Sequence, residues 1–124
     1  MTAAISMEEL TKYYGTTRGI EQIDLDVRTG EVFGFLGPNG AGKSTTIRVL
    51  LDFIRPTSGR ATVLGLDART DRVAISRRVG YVPGELAMYE KMTAREMLRY
   101  FASLRGLDDL GDGESIAERL ELDL

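Results

Sequence analysis

The chain has 124 residues, a net charge of −3, 43% hydrophobic and 28% charged residues, and neither Cys nor His. That allows one domain with a modest core and excludes a disulfide framework, a thiolate metal site and any histidine chemistry. No run approaches the roughly 18 apolar residues of a membrane span, and the first residues lack the basic-then-apolar pattern of a secretory signal.

Ile5, Met7 and Leu10 predict a first strand ending at the Lys12-Tyr13-Tyr14-Gly15 turn. Ile23, Leu25 and Val27 alternate with Asp24, Asp26 and Arg28, which predicts a half-exposed second strand. Thr29-Gly30 turns the chain into Val32 to Leu36, a strand apolar on both faces and therefore expected to be central. Next comes Gly37-Pro38-Asn39-Gly40-Ala41-Gly42-Lys43-Ser44-Thr45. These residues fit G-x-x-x-x-G-K-[ST], a loop that wraps backbone N–H groups around phosphates. Ile47, Leu50, Leu51 and Ile54 follow at the spacing of a buried helix face. A strand–loop–helix setting aims free N–H groups and the positive end of a helix dipole at a polyanion.

Arg55-Pro56-Thr57-Ser58-Gly59 reads as a turn, Arg60 to Leu66 as a strand and Thr70 to Arg78 as a short helix. Val79 to Val82 reads as a short buried strand stopped by Pro83-Gly84. Thr93-Ala94-Arg95-Glu96 is a capping box. It opens a helix with Ala94, Met97, Leu98, Phe101 and Leu104 on its buried face, ended by Gly106. Ser115-Ile116-Ala117-Glu118 reads as a second capping box, with Ile116 and Leu120 on one side of its helix. The arginines from Arg69 to Arg78 are scattered among acids and apolar residues, a solvated helix face and not a nucleic-acid stripe. Residues 108–124 are acidic, with Arg119 their lone cation.

Tyr14-Gly15, the phosphate loop, Pro56-Thr57-Ser58-Gly59 before Ala61-Thr62-Val63-Leu64-Gly65, and Val79-Gly80-Tyr81-Val82-Pro83 stand in the order of one family. Together they resemble the first half of an ABC-transporter ATP-binding subunit. Tyr81 to Tyr89 is most similar to the bacterial exporters of multidrug type. The resemblance implies an α/β fold: a P-loop NTPase core with an antiparallel β subdomain over residues 1–83. Over residues 84–124 it implies the family's glutamine-loop region and the start of a helical subdomain, so that the ABC ATPase domain is incomplete.

The implied cofactors are ATP and Mg²⁺. The implied site is Tyr14 with Gly37, Pro38, Asn39, Gly40, Ala41, Gly42, Lys43, Ser44, Thr45 and Thr46. Lys43 would bridge the β- and γ-phosphates, where a flexible ammonium follows migrating charge. Ser44 would hold Mg²⁺ through its hydroxyl. Gly40, Ala41, Gly42 and Thr45 would donate backbone N–H groups, with glycine where a Cβ would block close approach. Tyr14 would stack on adenine, a contact worth about 1–3 kcal/mol that tolerates any purine. Tyr13 would point the other way along an extended segment. At Gly84 the chain departs from the Gln that many members carry, and Glu85, one position on, could substitute. Met88, Tyr89 and Met92 lie where such subunits meet a membrane partner, or else pack beneath the helix at 93–105.

The implied partners are a second ATP-binding subunit and membrane permease subunits, with no nucleic acid. The implied location is cytoplasmic, peripheral at the inner face of the cell membrane. No apolar run precedes an Asp-Glu pair, and no Leu-Ser-Gly-Gly-Gln or switch histidine is present. The chain is therefore expected to be the leading part of a longer protein that binds ATP weakly alone and turns over little. A missing catalytic carboxylate typically costs about 10²- to 10⁴-fold in rate. Exposed apolar strand surface should also make the isolated chain poorly soluble.

Three other readings compete. A small P-loop kinase would need an arginine-bearing lid, for which Arg95, Arg99 and Arg105 are candidates, but two strands precede the phosphate loop. A GTPase finds D-x-x-G in Asp108 to Gly111, yet N-K-x-D is impossible because Asn39 is the only Asn. A bare interaction module would not depend on Lys43.

Overall fold

The alternating apolar residues near the N-terminus form a hairpin of two long strands, β1 (Ala3–Tyr14) and β2 (Thr17–Arg28), joined through Gly15 at φ +61°. The computed structural model describes residues 3–38, 42–85 and 87–124. These fall into two compact units, residues 1–81 and 82–124.

In the first unit, β3 (Ser58–Val63) pairs antiparallel with β1, and the two-residue β4 (Leu66–Asp67) folds back on β3. The sheet order is β2-β1-β3-β4. The strand expected over 60–66 is thus two strands. Leu64 and Gly65 between them have φ of 54° and 79°, the left-handed pair of a tight hairpin turn.

β1 bulges at Glu9, which has a φ of 46°. The bulge disrupts the ladder, and side chains make up the bonds. Asp24 Oδ1 accepts from the Glu9 N–H at 2.7 Å, and Thr11 Oγ1 accepts from the Gln22 N–H at 2.9 Å. Leu10 and Thr11, successive residues, are both buried.

Helix α1 (Lys43–Leu50) lies against β2 and β3 and closes the core of Met7, Leu10, Ile20, Val49, Ala61 and Ala68. Its buried residues are Thr46 and Val49, while Ile47 is 39% exposed. The expected stripe through Ile47 is therefore rotated, and the helix stops at Leu50, short of Ile54. Ile54 and Leu50 still pack against the core's edge. Helix α2 (Arg72–Ser76) is shorter than the predicted 70–78 and buries Ile75; Arg69, Arg72, Arg77 and Arg78 are exposed.

Two predicted strands are corrected. Val32 to Leu36 forms no strand, and Val32 and Leu36 are 101% and 92% exposed. An all-apolar strand needs neighbours on both edges and cover on both faces. Every strand among the described residues belongs instead to the antiparallel sheet. The helix face carrying Ile47 is likewise left partly open. Val79 to Val82 also forms no strand. Tyr81 meets Phe53 edge-on, with ring centroids 5.6 Å apart, and Val82 is exposed.

The second unit is built on α3 (Ala94–Leu104) and α4 (Gly113–Arg119). Thr93 Oγ1 accepts from the Glu96 N–H at 3.1 Å while Glu96 Oε1 accepts from the Thr93 N–H at 3.4 Å, so the capping box forms as predicted. At the other end Gly106, at φ +74°, closes α3. Its N–H donates to Ser103 and the Leu107 N–H to Ala102, the double bond of a Schellman ending.

Of the expected α3 face only Met97 is buried; Leu98, Phe101 and Leu104 are exposed. The second capping box is absent. α4 starts at Gly113 with Asp112 as N-cap, and Ser115 sits inside the helix, donating its hydroxyl proton to the Asp112 carbonyl. Ala117 is its buried residue, not Ile116 or Leu120. Arg95 on α3 and Glu114 on α4 form an ion pair.

Candidate functional site

The hairpin turn and the start of α1 enclose a groove of about 480 Å³ lined by Tyr14, Thr17, Arg18, Gly19, Gly42, Lys43, Ser44 and Thr45. Of the residues predicted for the site, Tyr14 and Gly42 to Thr45 meet here. Gly37 and Pro38 are exposed on the approach to the loop. Asn39, Gly40 and Ala41 lie outside the described residues.

Gly42 is the N-cap of α1, with φ 94° and ψ 9°, a conformation L side chains rarely adopt. Space imposes glycine independently. A Cβ there would overlap Ile20 Cγ2 and lie 2.9 Å from the Gly19 carbonyl oxygen. The last glycine of the loop is thus clamped onto β2. Its neighbour Lys43 donates its Nζ protons to the Gly37 carbonyl, so its ammonium spans the loop from end to beginning. Ser44 is exposed in the first turn of α1. That turn carries no acidic residue and, among the described residues, no side-chain cap. Its N–H groups and the positive end of the helix dipole face the groove's end of α1.

Thr46 is buried and does not line the groove. It is 2% exposed, and both its N–H and its hydroxyl donate to the Gly42 carbonyl, each at 2.9 Å. Its donors are committed to the helix, and its side chain belongs to the core.

Tyr14 is 44% exposed at the end of β1. Its hydroxyl is 3.1 Å from Thr45 Oγ1, and the Lys12 ammonium lies 5.4 Å from its ring centroid. Tyr13, one residue earlier, donates instead to Glu21 Oε1 at 2.9 Å, as strand alternation requires. That bond stabilises the neutral phenol and raises the Tyr13 pKa above its ordinary value. Arg18 pairs with Glu21 at 3.6 Å.

The sequence reading missed Thr17, Arg18 and Gly19 as lining. A signal existed in Gly19, an isolated glycine inside a strand pattern, which marks close approach of another element. A Cβ there would lie 2.9 Å from the Lys12 carbonyl oxygen, 3.0 Å from Tyr14 Cε2 and 3.3 Å from Thr45 Cγ2.

Gly84 and Glu85, in the second unit, are exposed, and a Cβ at Gly84 would meet nothing within 4 Å. Met88 and Tyr89 are more than half exposed, although Tyr89 meets Tyr100 of α3 edge-on at 5.9 Å between centroids. That contact belongs to the packing alternative, and the exposure leaves the other open.

The arrangement offers a flexible ammonium, an exposed hydroxyl, the N-terminal N–H groups of a helix and an aromatic ring around one groove. These donors suit a polyanion with an attached ring.

Comparison with known proteins agrees with this chemistry. A family model described as ABC transporter matches residues 20–123. The chain is 37% identical to the probable multidrug ABC transporter ATP-binding protein YbhF of Escherichia coli (strain K12), over 94% of the chain and 20% of that protein. It is 39% identical to the bacitracin transport ATP-binding protein BcrA of Bacillus licheniformis, over 86% of the chain and 35% of that protein. A solved structure of an ATP-binding subunit of an ABC transporter superposes with a TM-score of 0.74 at 30% identity, covering 87% of this chain and 45% of that one. The chain thus spans a fifth to about a third of the length of these two curated relatives.

Proposed function

The chain belongs to the ABC transporter family, and on that premise we propose that it binds ATP with Mg²⁺ in the groove between the hairpin turn and α1. The observation that carries this reading is the convergence of Tyr14, Gly19 and Gly42 to Thr45 on that groove, with the Lys43 ammonium held across the loop. Lys43 exchanges the neutral Gly37 carbonyl for the β- and γ-phosphate oxygens, which are stronger acceptors because they are charged. The Ser44 hydroxyl would hold Mg²⁺, and the N–H groups of Gly40, Ala41, Gly42 and Thr45 would take phosphate oxygens. The Tyr14 ring takes the adenine. Mg²⁺, when bound, neutralises charge on the phosphates.

For the whole protein we propose ATP hydrolysis coupled to export. It would work with a second ATP-binding subunit and membrane permease subunits, at the inner face of the cell membrane. The names of the two relatives, a multidrug and a bacitracin transporter protein, support transport, and the resemblance of the Tyr81 to Tyr89 stretch supports export as its direction. Among the described residues no helix is long and apolar enough to cross a membrane. No candidate carboxylate base follows an apolar run in these 124 residues. The chain alone is accordingly proposed to bind without appreciable turnover.

Titration calorimetry with Mg-ATP tests the reading. The wild-type chain should bind, and Lys43→Ala should weaken binding by about 10- to 150-fold, the range for a hydrogen bond to a charged group. A folded wild-type sample that takes up no Mg-ATP would refute it.

A further inference from the structure

Tyr14 does more at this groove than present a ring. Its hydroxyl lies 3.1 Å from Thr45 Oγ1, tying the end of β1 to the first turn of α1. The chain is shaped to permit that contact. Gly19 of β2 stands where Tyr14 Cε2 and Thr45 Cγ2 converge, and a Cβ there would crowd both while pressing on the fixed Lys12 carbonyl. Three elements therefore meet at the hydroxyl pair, and glycine is the residue that lets them close.

We propose that Tyr14 is a positioning residue for phosphate, acting through Thr45: the phenol donates its proton to Thr45 Oγ1, and Thr45 turns its own proton toward a phosphate oxygen. The inference rests on the ATP-binding reading above and deepens it.

A phenol is the more acidic of the two hydroxyls, so it is the better donor. A threonine hydroxyl has two lone pairs and one proton. With one lone pair used by Tyr14, Thr45 keeps its proton, and its rotor is fixed by the bond it accepts. Chained hydroxyls polarise one another, so the second donation is strengthened by the first. The contrast with Thr46 is instructive. That hydroxyl donates to the Gly42 carbonyl and has no proton left for a ligand. Thr45, by contrast, meets a partner outside its own helix. The base end and the phosphate end of the groove are thereby one mechanical unit.

A ligand with no base separates this role from stacking. Wild-type, Tyr14→Phe, Thr45→Val and the double variant would be titrated with Mg-tripolyphosphate and with Mg-ATP. Tyr14 is 44% exposed, so Phe keeps the ring and the fold. Tyr14→Phe should weaken Mg-tripolyphosphate by about 2- to 10-fold, the range for one hydrogen bond, and Mg-ATP by the same factor. Thr45→Val should weaken both at least as much, and on that background Tyr14→Phe should add nothing. Unchanged or tighter tripolyphosphate binding by Tyr14→Phe overturns the proposal. So does independent multiplication of the two single effects. A wild-type chain that binds neither ligand is a different failure, since it removes the nucleotide reading itself and this inference with it.

Discussion

Gly42→Ala is the substitution for which the structure makes the largest demand. The residue has φ 94° and ψ 9°, beyond the small left-handed basin open to L residues, and holding alanine there costs about 1–2 kcal/mol. The new methyl would also overlap Ile20 Cγ2, a side chain only 4% exposed in the core of the first unit. Overpacking of that kind typically costs about 1–3 kcal/mol. Ile20 cannot absorb it all by changing rotamer, because the Gly19 carbonyl oxygen sits 2.9 Å away on the backbone of β2. Together these give about 2–5 kcal/mol. If the strain unfolds the unit, urea denaturation reads that loss directly. If the start of α1 lifts from β2 instead, Mg-ATP affinity falls by the equivalent factor, about 30-fold to several thousand-fold. Gly84→Ala is the control, since its Cβ enters open space at an ordinary φ, and it should stay within about 0.5 kcal/mol of wild type. A Gly42→Ala chain that matched Gly84→Ala in both stability and Mg-ATP affinity would show that the clamp between α1 and β2 is wrong.

In the second unit, Thr93→Ala removes one half of the capping box and should destabilise α3 by about 1 kcal/mol. Amide exchange at Glu96 and Met97 should accelerate, and protection equal to wild type would discount the cap. Tyr13 supplies a pH dependence. Its pKa is raised by the hydrogen bond to Glu21, so the bond favours the folded chain below the ordinary tyrosine range and is lost as pH rises through the raised value. Glu21→Gln should move the Tyr13 titration, followed by NMR of labelled tyrosine rings, to lower pH. A midpoint that stays put or rises would mean the carboxylate does not hold the phenol.

Features fixed by neighbours three or four residues apart were legible in the sequence. The capping box at Thr93 and Glu96 and the ending at Gly106 need only their own turn of backbone to form. The phosphate-loop motif is likewise a local string, and the β1–β2 hairpin follows from alternation across a two-residue turn. Ser115 shows the limit of such reading. Its spacing to Glu118 satisfied the capping pattern, but the helix begins two residues earlier, at Gly113, and Ser115 lies within it.

What the tertiary structure decided was pairing and facing. Val32 to Leu36 has the composition of a central strand, yet a strand exists only beside another strand, and its composition does not say where that partner is. With every described strand committed to the antiparallel sheet, α1 buries Thr46 and Val49 against it and leaves Ile47 open. The hydroxyl pair of Tyr14 and Thr45, residues thirty-one apart, and the glycine at position 19 that admits it could come only from the packing of three elements at one point. Periodicity specifies which faces are apolar. Which face meets which is settled by the surfaces available to cover them.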